Sequence, residues 1–179
     1  RDAIPTILSD ALSVSFNRNV GHDYLEDYEE RYELYNKKES RIQFDLEYFN
    51  KITKGGLPNK TLNIALAGTG VGKSLFMCHH ASAVLLEGKN VLYITLEMAE
   101  EKIAERIDAN LLNVNIQEIV DLPKPIFESK VTNLAKKTQG SLIIKEYPTA
   151  SAHSGHFKSL LNELALKKSF KPDIIFIDY

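Results

Sequence analysis

The sequence predicts an α/β fold: a mainly parallel sheet covered by helices on both faces, preceded by a helical arm. Three observations predict it. First, a strand-length apolar run (Leu62, Ile64, Ala65, Leu66) passes into Gly68-Thr69-Gly70-Val71-Gly72, after which Lys73-Ser74 open a helical pattern. Second, three further apolar runs, at 90–96, 141–147 and 174–177, alternate with segments of helical period. Third, two of these runs end in acids, Glu97 and Asp178, at the carboxyl ends where parallel sheets hold ligands.

Taken in order, Ile4, Ile7, Leu8, Ala11 and Leu12 recur at helical spacing and predict a short amphipathic helix over 3–15. Residues 17–21 break it. Asp23 then caps a second, acidic helix reaching about Lys38, with Tyr24, Tyr28, Tyr32 and Tyr35 on one face. Such a stripe could stack bases, but Glu26, Asp27, Glu29, Glu30 and Glu33 would repel phosphates, which favours a packing face. Residues 37–41 read as a polar linker, and 44–52 lead to the Gly55-Gly56 turn ahead of the first strand. Lys73 to Glu87 reads as helix with Gly88 as its stop. His79 and His80 lie within it, without further ligands at metal spacing, so packing or solvent is their expected role. The strand 90–96 precedes a helix over 99–112. More helix, interrupted by Pro123 and Pro125, fills 113–140. The strand 141–147 is followed by a helix starting at Ser151 or His153, with Phe157, Leu160, Leu161, Leu164 and Ala165 on its apolar face. Lys171-Pro172-Asp173 turns into the fourth strand, 174–177.

The stretch Thr61–Ser74 carries the chemistry. Glycines let the backbone fold into a nest of N–H groups, and the helix N-terminus behind it adds partial positive charge. Gly68, Thr69, Gly70, Val71, Gly72, Lys73 and Ser74 are therefore the candidate phosphate-binding residues, with Lys73 on the β and γ phosphates and the Ser74 hydroxyl on Mg²⁺. The loop departs from G-x-x-x-x-G-K-[ST] at its first position, Ala67, where a small residue suffices to close the strand. Asp178 after four apolar residues has the Walker B arrangement, and its carboxylate would serve the same Mg²⁺. Glu97 could polarise the water that attacks a γ-phosphate; capping the helix near Ala99 competes with that role.

Composition narrows the class. Hydrophobic content of 44% and 26% charged residues suit a globular domain of 179 residues, and the net charge of −2 does not advertise nucleic acid. Charge is uneven: residues 1–50 hold 6 Lys/Arg against 11 Asp/Glu, and the remainder 16 against 13. The single cysteine, Cys78, allows no intrachain disulfide and fits a reducing compartment, and no apolar run reaches membrane-spanning length. The chain opens on Arg1 and closes directly after an apolar strand, so the expectation is a piece of a longer protein.

Together the glycine loop, the stretch Thr95-Leu96-Glu97-Met98-Ala99-Glu100-Glu101 and the ending Ile174-Ile175-Phe176-Ile177-Asp178-Tyr179 resemble the RecA-fold motor of DnaB-like replicative helicases. The branch found in T-even-type bacteriophages is also suggested by Val20-Gly21-His22-Asp23, residues 50–56, Arg106-Ile107-Asp108-Ala109-Asn110 and residues 160–164. The resemblance runs over essentially the whole chain. It implies a RecA-like P-loop NTPase using ATP and Mg²⁺, with Glu97 and Lys73 catalytic and with Ser74 and Asp178 serving the metal. It further implies a homo-hexameric ring around single-stranded DNA, primase and helicase-loader partners, and a cytoplasmic setting. Residues 1–43 would be a linker arm docking on the adjacent subunit. Residues 44–179 would be the part of the ATPase domain from Walker A to Walker B. Relatives often carry Pro-Gly where Asn59-Lys60 stands.

In that family the strand after Walker B inserts between the Walker A and Walker B strands. The DNA-binding loops, sensor glutamine and arginine finger also follow Tyr179. An arginine finger contributes about 10³–10⁵ in rate, so little turnover and an exposed apolar sheet edge are expected of this chain alone. Rival readings share the loop. A RecA-like recombinase would keep Lys73, Glu97 and Asp178; a small-molecule kinase needs an arginine-rich lid, yet only Arg106 follows the loop. A nucleotide-binding module without turnover is the third.

Overall fold

A computed structural model describes residues 21–37, 39–149 and 151–179; the amphipathic helix expected over 3–15 lies outside them. The chain divides into two units, 1–39 and 40–179.

In the first unit, Asp23 caps a turn rather than the helix itself. Its Oδ1 accepts from the amides of Leu25 and Glu26. Helix α1 (Tyr28–Asn36) starts five residues later and buries none of its residues. Tyr24, Tyr28, Tyr32 and Tyr35 are all exposed. The packing face expected of that stripe is not seen among the described residues.

The second unit opens on two short antiparallel strands, β1 (Arg41–Ile42) and β2 (Leu57–Pro58), joined through helix α2 (Glu47–Ile52). The Asn50 side chain brackets Phe44, accepting from its amide at 2.8 Å and donating to its carbonyl at 2.6 Å. Gly56 has φ +110°, and a Cβ there would stand 2.2 Å from the Ile42 carbonyl oxygen, so β1 and β2 can close only over a glycine.

Helix α3 (Lys73–Leu86) is followed by β3 (Val91–Thr95), α4 (Glu100–Leu111), the single turn α5 (Ile116–Ile119) and α6 (Lys124–Lys137). Then come β4 (Leu142–Glu146), α7 (Ser154–Lys168) and β5 (Ile174–Asp178). The sheet order is β4-β3-β5, all parallel, with Val91 opposite both Leu142 and Ile174 and Thr95 opposite Glu146 and Asp178. Strand β3 is β-branched and aromatic, and all five of its residues are buried. Its alternation sorts the core. Val91 and Tyr93 pack with Phe176 against Cys78, Ala81, Val84 and Leu85 of α3 and Ile103 and Ile107 of α4. Leu92 and Ile94 pack on the other side against Leu160 and Leu164 of α7 and Phe170. Helices thus cover both faces.

The punctuation acts as the residues dictate. Gly88, at φ +81°, ends α3 by donating to the Leu85 carbonyl, while Lys89 donates to Val84. Pro123 and Pro125 start α6 rather than interrupt a helix, since their missing N–H groups fall in its unpaired first turn. His153 caps α7, its ring accepting from the Gly155 amide while His156 accepts from the His153 amide.

One expected strand is not there. Residues 61–68 adopt no regular structure, and Leu62, Ile64 and Leu66 are 87%, 79% and 93% exposed. The physical reason is pairing. A strand's amides and carbonyls need a neighbour, and none of the described strands lies beside this segment. The outer edge of β5 is equally unpaired, with Ile175 and Ile177 40% and 46% exposed. No helix among the described residues is long and apolar enough to cross a membrane.

Candidate nucleotide site

The glycine loop forms without its strand. Thr69 and Gly70 make a turn, Gly70 at φ +73°, and Gly72 at φ +105° occupies the N-cap of α3 in a left-handed conformation. Both angles strain any residue with a Cβ. Phe76 donates to the Gly72 carbonyl at 2.9 Å and starts the helical ladder. No side chain caps α3, and its first turn holds no acid. The amides at its start are therefore left for an anion, and the helix dipole points at them.

Lys73 is the first residue of α3. Its Nζ folds back over the loop, donating to the carbonyls of Ala67 at 2.9 Å and Gly68 at 3.0 Å. The ammonium is thus held at the mouth of the nest by two neutral acceptors, which a phosphate could replace. Ser74 follows, half-buried; Gly68, Thr69, Gly70 and Val71 are exposed.

Asp178 is the last residue of β5 and only 4% exposed. Its backbone carbonyl accepts from Leu96, tying the end of β5 to the end of β3. Its Oδ2 accepts from the Tyr93 hydroxyl at 2.9 Å, and that hydroxyl in turn accepts from the Cys78 thiol at 3.8 Å. Burial pushes both the Tyr93 phenol and the Cys78 thiol above their ordinary values, so both keep their protons to donate. Cys78 lies one turn after Ser74 on α3, so Ser74 and Asp178 belong to the same side of the sheet. Hydroxyl and carboxylate oxygens suit a hard cation such as Mg²⁺.

Glu97 lies just past β3. The Thr95 hydroxyl donates to the Met98 carbonyl at 2.7 Å and accepts from the Met98 amide at 3.0 Å, fixing the turn that carries it. The Glu97 carboxylate is exposed and takes no hydrogen bond or ion pair among the described residues. Helix capping, its competing role, is not observed: α4 has no side-chain cap, and the Glu100 amide donates instead to Glu146. The structure thus brings Asp178, Tyr93 and Cys78 into one chain of contacts. It leaves Glu97 at the neighbouring strand end without contact to Lys73.

Sequence reasoning missed Tyr93. A signal existed: it is a phenol in a buried aliphatic strand, and a buried tyrosine hydroxyl needs a partner. His79 and His80 belong to no group of three or more clustered metal-ligand donors among the described residues. His80 is buried, stacked on Phe44 at 4.3 Å and edge-on to Phe176 at 5.6 Å, and His79 sits 2.5 Å from Asp45. A cluster of His22, Asp27 and Glu30 in the first unit, with His22 and Glu30 exposed and Asp27 half-buried, is already engaged, with Arg31 on the His22 ring and the Asp23 amide on Asp27.

Residues 42–179 match the family model described as the DnaB-like helicase C terminal domain. The chain is 49% identical over 180 residues to a DnaB-like replicative helicase of Enterobacteria phage T4, a match covering 99% of this chain and 38% of that protein. Among solved structures it resembles a DnaB-like replicative helicase described with its interactions with primase, at TM-score 0.55 and 16% identity, covering 98% of this chain and 42% of the other. The chain therefore spans about two fifths of the relatives it matches.

Proposed function

Because the chain belongs to the DnaB-like helicase C-terminal domain family, with a RecA-like α/β fold, we propose that it is the nucleotide-binding part of an ATP-driven replicative DNA helicase motor. The observation that carries this reading is the uncapped start of α3, with Gly70 and Gly72 in left-handed conformations and Lys73 folded over them. In this reading the amides of residues 68–74 bind the phosphates of ATP and Lys73 transfers from its loop carbonyls to the β and γ phosphates. Ser74 and Asp178 would hold Mg²⁺, which would supply charge neutralisation at the phosphate oxygens. Glu97, exposed at the strand end, orients the attacking water.

The wider assembly belongs to the same proposal. The intact protein is a homo-hexameric ring that moves along single-stranded DNA, with residues 1–43 as its subunit-docking arm and primase and a loader as partners. The chain alone is expected to bind nucleotide and turn it over slowly, since Glu97 has nothing among the described residues to hold it in place.

Titration with a fluorescent ATP analogue tests the loop. Lys73→Ala should weaken binding at least tenfold, and unchanged affinity would overturn the assignment. In the intact ring, Glu97→Gln should keep nucleotide affinity and lose hydrolysis. A variant that still hydrolyses ATP at the wild-type rate would remove Glu97 from its role.

A further inference from the structure

We propose that Tyr93 is a positioning residue for the Asp178 carboxylate, and that Cys78 completes a buried Cys78–Tyr93–Asp178 relay tying the nucleotide-loop helix to the Walker B strand. The inference rests on the assignment of Asp178 to the metal made above. Its basis is geometric. Tyr93 is fully buried on β3, its ring stacked on Phe176 with centroids 5.9 Å apart and planes 19° off parallel. In the parallel register Tyr93 faces Phe176 and Thr95 faces Asp178, so the Tyr93 ring reaches diagonally one pair along the same face. The stacking fixes the ring, and the ring delivers its hydroxyl 2.9 Å from Asp178 Oδ2.

The protons run one way. A phenol has one, and Tyr93 gives it to Asp178, which leaves its oxygen lone pairs for Cys78. The thiol, 3.8 Å away, supplies its own hydrogen to that oxygen. Each donor strengthens the next. The consequence for Asp178 is specific: Oδ2 is taken by Tyr93, the carboxylate is held in one rotamer, and Oδ1 is the oxygen left for a metal-bound water. Cys78 sits four residues after Ser74 on α3, so a shift of that helix is transmitted to the carboxylate through two hydrogen bonds.

Tyr93→Phe removes the hydroxyl and keeps the stacking ring. The probe is Mn²⁺, read by electron paramagnetic resonance on the full chain with a non-hydrolysable ATP analogue, beside metal-free nucleotide affinity. Tyr93→Phe should weaken Mn²⁺ binding about tenfold while changing metal-free nucleotide affinity less than twofold; an intact Mn²⁺ affinity overturns the inference. Cys78→Ala should weaken Mn²⁺ binding about two- to threefold, and Cys78→Ser, which restores a donor, should lose less than Cys78→Ala. Equal losses for the two Cys78 variants would also overturn the relay, even if Tyr93→Phe did not fold. Asp178→Asn separates the two levels of reading. If Asp178→Asn abolishes Mn²⁺ binding and Tyr93→Phe does not weaken it, the positioning role alone fails. If Asp178→Asn leaves Mn²⁺ binding intact, the metal assignment fails with it. In the Asp178→Asn background, Tyr93→Phe should add no further loss.

Discussion

Two apolar stretches of this chain have similar composition and opposite fates. Val91–Thr95 is the centre of the sheet, buried at every position and hydrogen-bonded to a parallel neighbour on each side. The run from Leu62 to Leu66 has the alternation of a strand, yet its three large side chains point into solvent. The difference lies outside both segments. β3 has β4 and β5 to satisfy its amides and α3, α4 and α7 to cover its faces; residues 62–66 have neither among the described elements. An apolar period states what a segment can do with a partner, and only the partner makes it a strand.

The sharpest test of that contrast is a pair of truncations. Leu92 is fully buried against α7, so Leu92→Ala should cost about 3–4 kcal/mol in urea unfolding. Ile64→Ala should stay within about 0.5 kcal/mol. Comparable costs would mean that residues 62–66 are packed after all.

A second test uses a polar group inside the core that β3 organises. His80 is 2% exposed, boxed by Phe44, Phe76 and Phe176, and neither ring nitrogen has a hydrogen-bond partner. Burial lowers its pKa to about 4, with Asp45 opposing the shift and His79 adding to it. The unfolded chain takes up a proton near pH 6.5 that the folded chain refuses until about pH 4. His80 thus leaves stability intact above pH 6.5 and removes it as pH falls through that window, by about 3 kcal/mol at the acid limit. His80→Phe keeps the aromatic box and should flatten the decline between pH 6.5 and 4. A variant with the wild-type slope would place the pH dependence elsewhere.

How far these features were legible follows from whether they are local. The stop of α3 at Gly88 was readable because it depends on residues within one turn; Pro123 and Pro125 read as interruptions although they open α6, and the start of α7 was narrowed only to Ser151 or His153. The runs 90–96, 141–147 and 174–177 were readable as strands, and each finds a parallel neighbour in the sheet. The failure at 62–66 is one of pairing, which no window of sequence contains. The Tyr93–Asp178 contact was hidden for a related reason: it spans 85 positions and exists only in the register that sets Thr95 beside Asp178. The loop was legible from its glycines, while the fold-back of Lys73 onto Ala67 and Gly68 was not, because a lysine's acceptors depend on what else is bound.

The smallest expected change in stability carries the most information about the unpaired segment. Leu62, Ile64 and Leu66 present an exposed row of apolar side chains on a backbone whose hydrogen-bonding groups have no strand beside them. The β5 edge, with Ile175 and Ile177, presents a second unpaired surface on the sheet. Either can template association with another copy, which is the hazard of any uncovered strand or edge. Replacing Leu62, Ile64 and Leu66 together with Thr keeps strand propensity and removes the apolar row. Thermal unfolding should move by less than about 0.5 kcal/mol, while concentration-dependent light scattering should fall severalfold. Scattering that persists would assign self-association to the β5 edge. A large loss of stability would instead mean that the apolar row already has a partner, and the contrast with β3 would be one of degree.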